Sequence, residues 1–521
     1  MTEVPATVAF LTVAAAAPFI AAFVGLILSN RASSAAHVSA SVVGIGFAAS
    51  VLVAVGSALG LAVTPKSFML SGDPMSLVLI TLVLGLSALI QVFSLRYLRG
   101  DPRHAWFVVT ANLLTGFTVA MASASTLLWF GAAWTLAGAS LVALLAMYNR
   151  NRQARHGIRR VASAFLIGDA ALWSALGFIL IQRGDIPLSQ LSAVGRGLEQ
   201  WQVITIGLLL ATAALARSSQ IPFQHWLPAT LAAPTPVSAL LHAGVVNAGA
   251  ILIIRFSPIM LPAGPTMSLL ALAGGATLVF GAAVGMTRPD VKGALVYSTI
   301  AQMGFMIMAC GVGAFAAALV HLVAHSLYKS ALFLGAGSLA ADRAAQRSRP
   351  RADPLPRTKR VGAIVTASVV PATAIVVARL TVYPSASAAS TALLVFVAAT
   401  GTTVLAAFLL HRFTAVTVVV SVLGTAGASF LYVWLVDATT TILGPTLVAS
   451  EPAASPWWLL PPTVALVLVL LLRRNGAWTA FVSDRVYVRA LGTGTIARSN
   501  GPWLKLRPVR AARRVAGEIL A

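Results

Sequence analysis

The sequence predicts an all-α polytopic membrane protein with about fifteen transmembrane helices. Of the 521 residues, 58% are hydrophobic and only 9% are charged, whereas soluble globular proteins average about 25% charged residues. Apolar stretches recur along the chain, with lengths near the roughly 20 residues that a helix needs to cross a hydrocarbon core. Short loops rich in arginine separate many of these stretches. An ordinary soluble catalyst has none of these features.

The predicted spans follow one another with few long interruptions. They lie at residues 5–29, 36–61, 75–96, 106–124, 126–147, 161–182, 202–219, 237–256, 266–286, 294–312, 315–341, 361–380, 389–410, 414–443 and 455–472.

We divide the chain into five parts on this basis. N-terminal helices (1–105) precede a core of helices (106–341), a hydrophilic loop (342–360), C-terminal helices (361–472) and a basic tail (473–521). The loop is rich in arginine and proline, so we expect it to be solvated in the cytoplasm. The tail carries tryptophans among its arginines, a pattern typical of a segment that lies on anionic lipid or binds a partner.

The distribution of charge predicts the orientation of the helices. The net charge is +23, and an extracellular N-terminus places nearly all basic loops on the cytoplasmic side, as the positive-inside rule requires. Arg255 is the exception, at the outer end of its predicted helix. The early basic loops and the basic tail share one face only if the number of spans is odd. We therefore expect a multi-pass protein of the inner or plasma membrane, with a cytoplasmic C-terminus, and we do not expect nucleic-acid binding.

Other features narrow the class further. The N-terminus begins Met1-Thr2-Glu3, which is acidic where a cleaved signal peptide is basic. Cys310 is the only cysteine, which excludes a disulfide framework and a cysteine-rich zinc or iron–sulfur site. No glycine-rich nucleotide fingerprint is present, so we expect no cofactor in this chain.

Ionisable residues inside the predicted spans are few. Such groups are costly in a bilayer and usually functional. They are Asp169, Arg217, His242, His321, His325, Lys329, Arg379 and Asp437. Arg379 lies near a helix end, from which its side chain can extend to the membrane surface, so we leave it out of the candidate site.

Three of these residues are spaced for one stripe of a helix. His321, His325 and Lys329 follow one another at intervals of four residues, which places them about 6 Å apart along the helix axis. Histidine titrates near neutral pH, and burial disfavours the charged form of lysine. Each residue alone could be a satisfied polar group that pairs two helices. The three together favour a proton relay, with Lys329 as its central group.

Two prolines indicate broken helices, which at membrane depth normally line a polar cavity or an ion site. Pro222 follows the span that ends at Arg217-Ser218-Ser219-Gln220, and Pro371 lies inside a later span. Near Pro222 the alternative is a helix that ends at the surface, and spacing leaves both alternatives open.

Three segments resemble the antiporter-like subunits of respiratory complex I and the Mrp cation antiporters. The first runs from Gln220 to Phe256 and contains HWLPATLAAPTPVSALLHAGVVN. The second runs from Asp290 to Gly304, and the third reads HLVAHSLYKSALFLGAGS from His321 to Ser338. The resemblance covers roughly residues 70–340. It implies a fold of two inverted five-helix repeats with broken helices, flanked by extra helices.

Within this superfamily, one branch is more similar than the others. The stretch His242 to Asn247 reads HAGVVN and resembles the membrane subunit of the DAB inorganic-carbon pump. That resemblance implies a partner, a large cytoplasmic subunit similar to a β-carbonic anhydrase that holds zinc. It further implies that ion flow drives the hydration of CO2 to bicarbonate in that partner.

The sequence also departs from the family pattern. The glutamate usual in the fifth span is missing, because Thr135 follows Trp134, and the lysine usual in the seventh span is Arg217. Arginine keeps its proton at physiological pH, so Arg217 is expected to act as a fixed charge, with Asp169 as its counter-charge. Asp437 is the only late candidate for an exit group.

Three functions are compatible with these features. The first is a proton-conducting (or sodium-conducting) membrane subunit of an energy-coupled inorganic carbon transporter, not itself an enzyme. The second is a pumping subunit of an NADH-quinone oxidoreductase-like or Mrp-type complex. The third is a membrane anchor for a cytoplasmic partner. The row of His321, His325 and Lys329 disfavours this third function.

The predicted orientation is directly testable. Reporters of membrane topology placed at Gly100, Arg155 and Arg351 should all lie in the cytoplasm, because their loops carry the positive charge that is retained on that side. Reporters on opposite faces would contradict the span count.

Overall fold

The computed structural model describes residues 6–60, 70–339, 355–410, 413–444 and 455–472. These residues are almost entirely helical, and the β pairing among them is limited to two isolated bridges. The helices are α1 (Ala6–Ile27), α2 (Ala32–Ala58), α3 (Pro74–Tyr97), α4 (His104–Ala122), α5 (Leu127–Leu145), α6 (Arg152–Arg183), α7 (Leu191–Arg196), α8 (Gln200–Arg217), α9 (Thr235–Ala243), α10 (Ala248–Arg255), α11 (Ser257–Met260), α12 (Gly264–Thr287), α13 (Val291–Gly311), α14 (Phe315–Leu334), α15 (Arg357–Val382), α16 (Ala388–Leu409), α17 (Ala415–Leu443) and α18 (Leu460–Leu472).

Thirteen helices in the described residues are long and apolar enough to cross a membrane. They correspond to thirteen of the fifteen predicted spans. The other two predicted spans, 202–219 and 455–472, are helical as α8 and as α18 with a preceding 3-10 turn, but they lie outside those thirteen. The helical membrane architecture is therefore present, and the count of fifteen is not confirmed. The predicted basic tail lies outside the described residues, as does most of the predicted loop 342–360.

Several helices begin where a side chain can satisfy free backbone N–H groups. Asp73 caps α3 by accepting a hydrogen bond from the Ser76 N–H at 3.0 Å. Asp290 caps α13 by accepting from the Gly293 N–H at 2.6 Å. Such caps satisfy donors that have no partner inside the helix, and in both cases they set where a membrane span starts.

Helices α12 and α13 pack backbone against backbone. A Cβ atom on Gly304 would lie 2.5 Å from the Leu278 nitrogen, and one on Gly274 would lie 2.5 Å from the Met308 nitrogen. Small residues permit this close approach. Lipid tails are as apolar as the helix surfaces, so helices in a bilayer associate through dispersion forces between closely packed atoms and not through the hydrophobic effect. Helix α13 is thereby held rigidly beside the site described below.

The span between α8 and α11 is the most buried of the thirteen spans found in the described residues. It consists of α9, a 3-10 turn at Val245–Asn247 and α10, and 94% of its central window is buried. The helix is interrupted at Gly244 (φ −113°, ψ −70°). The break inside this span therefore lies at Gly244, a position that the sequence did not indicate.

The structure bears differently on the two prolines that the sequence indicated. Helix α8 already ends at Arg217, because Ser219 adopts a left-handed φ of 54° and the Gln220 N–H bonds back to the Leu215 carbonyl at 3.0 Å, an arrangement that terminates helices. Pro222 lies beyond that end, in a non-helical segment. The break predicted near Pro371 is wrong, since α15 is continuous through it. A proline inside a helix removes one backbone hydrogen bond and can bend the helix without ending it.

The close contact of α12 and α13 makes a stability prediction. Gly304→Ala should destabilise the protein by about 1–3 kcal/mol, because the new methyl group overlaps the α12 backbone. Gly177→Ala in α6 is the matched control, since a Cβ there meets nothing within 4 Å. Thermal unfolding of both variants in detergent is the measurement, and equal midpoints would contradict the packing.

Candidate functional site

Lys329 lies in the interior of the helical bundle. Its side chain is 0% exposed. The Nζ atom donates hydrogen bonds to Ser298 Oγ and to the Leu295 carbonyl at 3.4 Å, both on α13. No carboxylate in the described part of the chain forms an ion pair with it. A buried lysine without a counter-charge is costly when protonated, so its environment favours a group that can release its proton.

His325 and His321 continue from Lys329 along α14. Their rings lie 6.1 Å apart with an interplanar angle of 21°, which confirms that they share one stripe. His325 is 3% exposed, and neither of its ring nitrogens has a hydrogen-bond partner among the residues that the structure describes. His321 Nε2 also lacks one. Buried polar atoms are rarely left unpaired, so these nitrogens are available to water or to a proton in transit.

His242 approaches the same stripe from the broken helix. It lies in the last turn of α9 and is 1% exposed. Its ring stacks on Phe333 of α14, with centroids 4.3 Å apart and planes within 12°. Phe333 is one turn beyond Lys329, so the fold brings all three predicted histidines into one region with the lysine. His242 Nδ1 has no partner.

Asn247 connects the helix break to α14. Its Nδ2 donates to the Ala243 carbonyl at 2.7 Å and to Ser326 Oγ at 2.8 Å, while its Oδ1 lacks a partner. The first bond satisfies a carbonyl that the break at Gly244 releases. Sequence reasoning used Asn247 only as part of a motif and missed this role. The sequence signal for this role was an amide side chain close to a glycine within an apolar run.

Arg217 forms the ion pair expected from the sequence. Its Nη2 lies 2.6 Å from Asp169 Oδ1, and Trp134 Nε1 donates to the same oxygen at 2.8 Å. The guanidinium is also 4.5 Å from the Trp134 ring and 4.1 Å from the Phe165 ring. A Cβ on Gly138 would come within 2.5 Å of Nη1. The arginine is therefore a cation held in one position by charge, aromatic faces and close packing.

The fixed cation adjoins the helix break. Ser218, the next residue, donates its hydroxyl to the Val246 carbonyl at 2.7 Å. A Cβ on Gly249 would lie 2.4 Å from the Ala214 carbonyl, so α8 and α10 touch backbone to backbone. The positive charge of Arg217, at the end of α8, therefore lies close to the turn that follows His242.

Asp437 stands apart from this group. It lies on α17 and is partly buried, and its carboxylate has no ion pair with any described residue. Its backbone carbonyl accepts from Thr441, and Thr440 contacts the Tyr383 hydroxyl at 3.2 Å. These contacts tie α17 to α15 and do not join Asp437 to the histidine row.

Arg255, the exception to the charge asymmetry, has a structural explanation. Its guanidinium contacts Asp73 Oδ2 at 2.8 Å, Ser76 Oγ at 2.5 Å and the Ala122 carbonyl at 2.7 Å. These bonds join the end of α10 to α3 and α4. Burial acts to raise the pKa of Asp73, but the Arg255 charge and the hydrogen bonds from Arg255 and Ser76 outweigh it and hold the pKa below its ordinary value. The pair is therefore intact at neutral pH and is lost only as the pH falls through that lowered value.

The described residues contain no group of three or more His, Cys, Asp or Glu side chains that could hold a metal ion. The site is instead a set of titratable and fixed charges inside a helical membrane protein, around a broken helix. Such an arrangement is typical of the antiporter-like class of membrane proteins.

Residues 122–406 match the family described as NADH:quinone oxidoreductase/Mrp antiporter, transmembrane region, and residues 64–108 match the N-terminus of chain 5 of NADH-ubiquinone oxidoreductase (complex I). The first match covers more than half of the chain, so this chain belongs to the NADH:quinone oxidoreductase/Mrp antiporter family. The family resemblance drawn from the motifs is confirmed.

Curated relatives fall in two groups. A probable inorganic carbon transporter subunit of Halothiobacillus neapolitanus is 36% identical over 275 residues, 51% of this chain and 49% of the relative. One from Bacillus subtilis is 35% identical over 275 residues, 51% of this chain and 53% of the relative. The NADH-ubiquinone oxidoreductase chain 5 of Schizophyllum commune is 35% identical over 258 residues, 49% of this chain and 38% of the relative. These matches span about half or less of each relative.

Solved structures share the fold. The Mrp complex from Dietzia sp. contains a chain that matches 98% of this chain and 59% of its own length, with a TM-score of 0.64 and 25% identity. A chain of the membrane-bound sulfane sulfur reductase, an archaeal respiratory membrane complex, matches 93% of this chain and 97% of its own length, with a TM-score of 0.56 and 17% identity. The second match supports the fold alone. The predicted antiporter-like fold class is confirmed.

The buried ion pair makes a stability prediction. Arg217→Ala and Asp169→Asn should each cost about 3–5 kcal/mol, because each leaves its partner buried and uncompensated. Arg217→Lys keeps the charge and should lose much less. The measurement is thermal unfolding in detergent, with the exposed Arg155→Ala as control. Asp169→Asn with the stability of the control would show that the pair is not structural.

Proposed function

We propose that this chain conducts protons, or sodium ions in their place, as the membrane subunit of an energy-coupled inorganic carbon transporter. The observation that carries the proposal is Lys329, a buried lysine with no counter-charge among the described residues, at the end of a row in which both ring nitrogens of His325 and Nε2 of His321 lack partners among those residues. Intramembrane residues of this kind typically form proton relays. The names of the Halothiobacillus and Bacillus relatives support the carbon-transport assignment.

The proposed path passes through Lys329, His325 and His321 on α14, with His242 beside them. Lys329 rests against Ser298 Oγ when it holds its proton. When it gives up the proton, the electrostatic cost of its burial is relieved. The histidines then pass the proton along the stripe by way of intervening waters. Arg217 never releases its proton in this scheme and sets the local potential that a proton at His242 experiences. Asp437 is proposed as a later exit group.

The coupling to carbon chemistry requires a second subunit. The proposed partner is a large cytoplasmic protein similar to a β-carbonic anhydrase, which would hold the zinc ion and hydrate CO2 to bicarbonate. Ion flow through this chain would make that hydration one-way. The chain itself would be a transport subunit and not an enzyme, and its C-terminus would lie on the partner's side of the membrane.

A second function has specific support. The Schizophyllum relative is a chain 5 of NADH-ubiquinone oxidoreductase, and the Dietzia structure is an Mrp complex. A pumping subunit of such a complex would use the same buried residues. The neighbouring genes distinguish the two functions, since a carbon transporter needs one large zinc-binding partner and a respiratory complex needs a set of redox subunits.

The decisive test changes Lys329. Lys329→Ala and Lys329→Met should abolish growth at ambient CO2 in a strain that depends on this system, because no group remains to change protonation state. Lys329→Arg should be nearly as damaging, since it keeps the charge and cannot release it. Growth of Lys329→Arg at the wild-type rate would overturn the relay.

Binding of the partner is the control for assembly. All Lys329 variants should co-purify with the cytoplasmic partner, and zinc should be found with that partner and not with this chain. A chain that binds zinc tightly by itself would contradict the proposed division of roles. Loss of the partner from Lys329→Ala would indicate a structural lysine.

A further inference from the structure

A chain of neutral polar side chains crosses α2, α3 and α4, away from the site described above. It consists of Ser39, Ser87, Gln91, Asn112 and Thr115, and we call it the polar seam. Every member is 2% exposed or less. The candidate site described above does not include these residues, and the row ending at Lys329 does not use them.

The members of the seam are joined by direct hydrogen bonds. Ser39 Oγ donates to Gln91 Oε1 at 2.7 Å, and Asn112 Nδ2 donates to Ser39 Oγ at 2.7 Å. Gln91 Nε2 donates to Asn112 Oδ1 at 3.0 Å and to Ser87 Oγ at 3.1 Å. Ser87 and Thr115 hydroxyls lie 2.8 Å apart, and either can be the donor. The connection is therefore continuous across three helices.

One end of the seam approaches a surface cavity. This cavity has a volume of about 240 Å³ and is lined by polar groups that include His37, Arg99, Asp101 and His104. His104 is 4% exposed and its Nε2 has no partner. Leu95, which also lines the cavity, is one helical turn from Gln91. The loops around the cavity are those predicted to be cytoplasmic.

The other end of the seam reaches the helix break. Thr115 and Thr118 line a smaller cavity of about 30 Å³ together with Ala243 and Gly244. That volume is large enough for one water molecule, for which Thr115 and Thr118 supply the polar side chains of the lining. Ala243 and Gly244 directly follow His242, so this cavity lies between the seam and the candidate proton path.

We propose that the polar seam is an access route along which protons pass between the cytoplasmic cavity and the broken helix at Gly244, next to His242. The proposal rests on the proposed function, since it supplies that path with an entrance. Hydroxyl and amide groups do not hold the proton. Because an amide does not relay a proton, the proton moves only when water enters between the seam members and takes over part of their mutual hydrogen bonds, and a buried water needs about two to four such partners.

Helix association alone does not account for the arrangement. Buried polar residues do join helices in membranes, and that role explains why Ser39, Gln91 and Asn112 bond to one another. It does not require that the bonded chain continue to Thr115. It also does not require that one end approach the surface cavity while the other lines a cavity at the break between α9 and α10. Neutrality also fits a conduit, because a fixed charge would trap or repel the proton.

The test compares two threonines of α4. Thr115→Val removes the hydroxyl that joins the seam to the smaller cavity and conserves volume. Thr110→Val is the matched control, because Thr110 is 5% exposed and its hydroxyl bonds only to the Trp106 carbonyl of its own helix. Thr115→Ser should restore function, since it returns the hydroxyl. Gln91→Met is a second, independent interruption.

The measurement is the initial rate of proton movement into inside-out membrane vesicles, followed with a pH-sensitive dye under an imposed membrane potential. The vesicles contain the full chain expressed with its flanking genes, and rates are divided by the amount of folded protein. Thr115→Val and Gln91→Met should each lower the rate by about tenfold or more, equivalent to an added barrier of about 1.4 kcal/mol. Thr110→Val and Thr115→Ser should remain within about twofold, equivalent to about 0.4 kcal/mol on the same scale.

The outcomes separate this proposal from the function on which it rests. Normal rates in Thr115→Val and Gln91→Met, with Lys329→Ala inactive, would overturn the seam and leave the proposed function standing. If Thr115→Val and Gln91→Met lower the thermal unfolding midpoint but leave the proton-transport rate per folded molecule unchanged, the seam serves only to hold the helices together. Vesicles with the wild-type chain that move no protons would overturn both.

Discussion

The interior of a bilayer offers no water to polar groups, so every charge and every free backbone group must find its partner inside the protein. This constraint accounts for the placement of almost every polar side chain described above. Carboxylates cap helices at Asp73 and Asp290, and the guanidinium of Arg217 is held by Asp169 and two aromatic rings. Because unmet groups are so costly, the unpartnered nitrogens of His325 and His321 on one stripe with Lys329 make this row the candidate site.

Two buried cations show how the surroundings of a charge decide its role. Arg217 has a carboxylate at 2.6 Å and cannot release its proton, so it is a permanent source of potential. Lys329 has a hydroxyl and a carbonyl as partners and no carboxylate among the described residues. Burial therefore stabilises its neutral form relative to its charged form. Arg217 therefore contributes a constant positive charge, whereas Lys329 can change its protonation state.

The break at Gly244 is the place where polar groups from several helices meet. It brings His242 against Phe333 of α14 and lets Asn247 bond to Ser326 on the same helix. Ser218, next to the fixed cation, bonds to the Val246 carbonyl in the same turn. A continuous helix would satisfy its own backbone and would expose none of these carbonyls. The interruption thus links the fixed charge of α8, the titratable row of α14 and the proposed polar seam of α2, α3 and α4.

The linear pattern of residues was sufficient for the helical membrane class, for the stripe of His321, His325 and Lys329, and for the pairing of Asp169 with Arg217. Apolar length and helical period are local properties, and scarcity of charge leaves few possible partners. The helix break could not be located in the same way. Proline signals a lost backbone bond, but whether a helix stops depends on its neighbours, so α15 continues through Pro371 while α9 ends at Gly244. The contacts of Arg255 with Asp73 and of Gln91 with Asn112 join residues distant in the sequence or on different helices, and helix packing alone decides which distant polar groups meet.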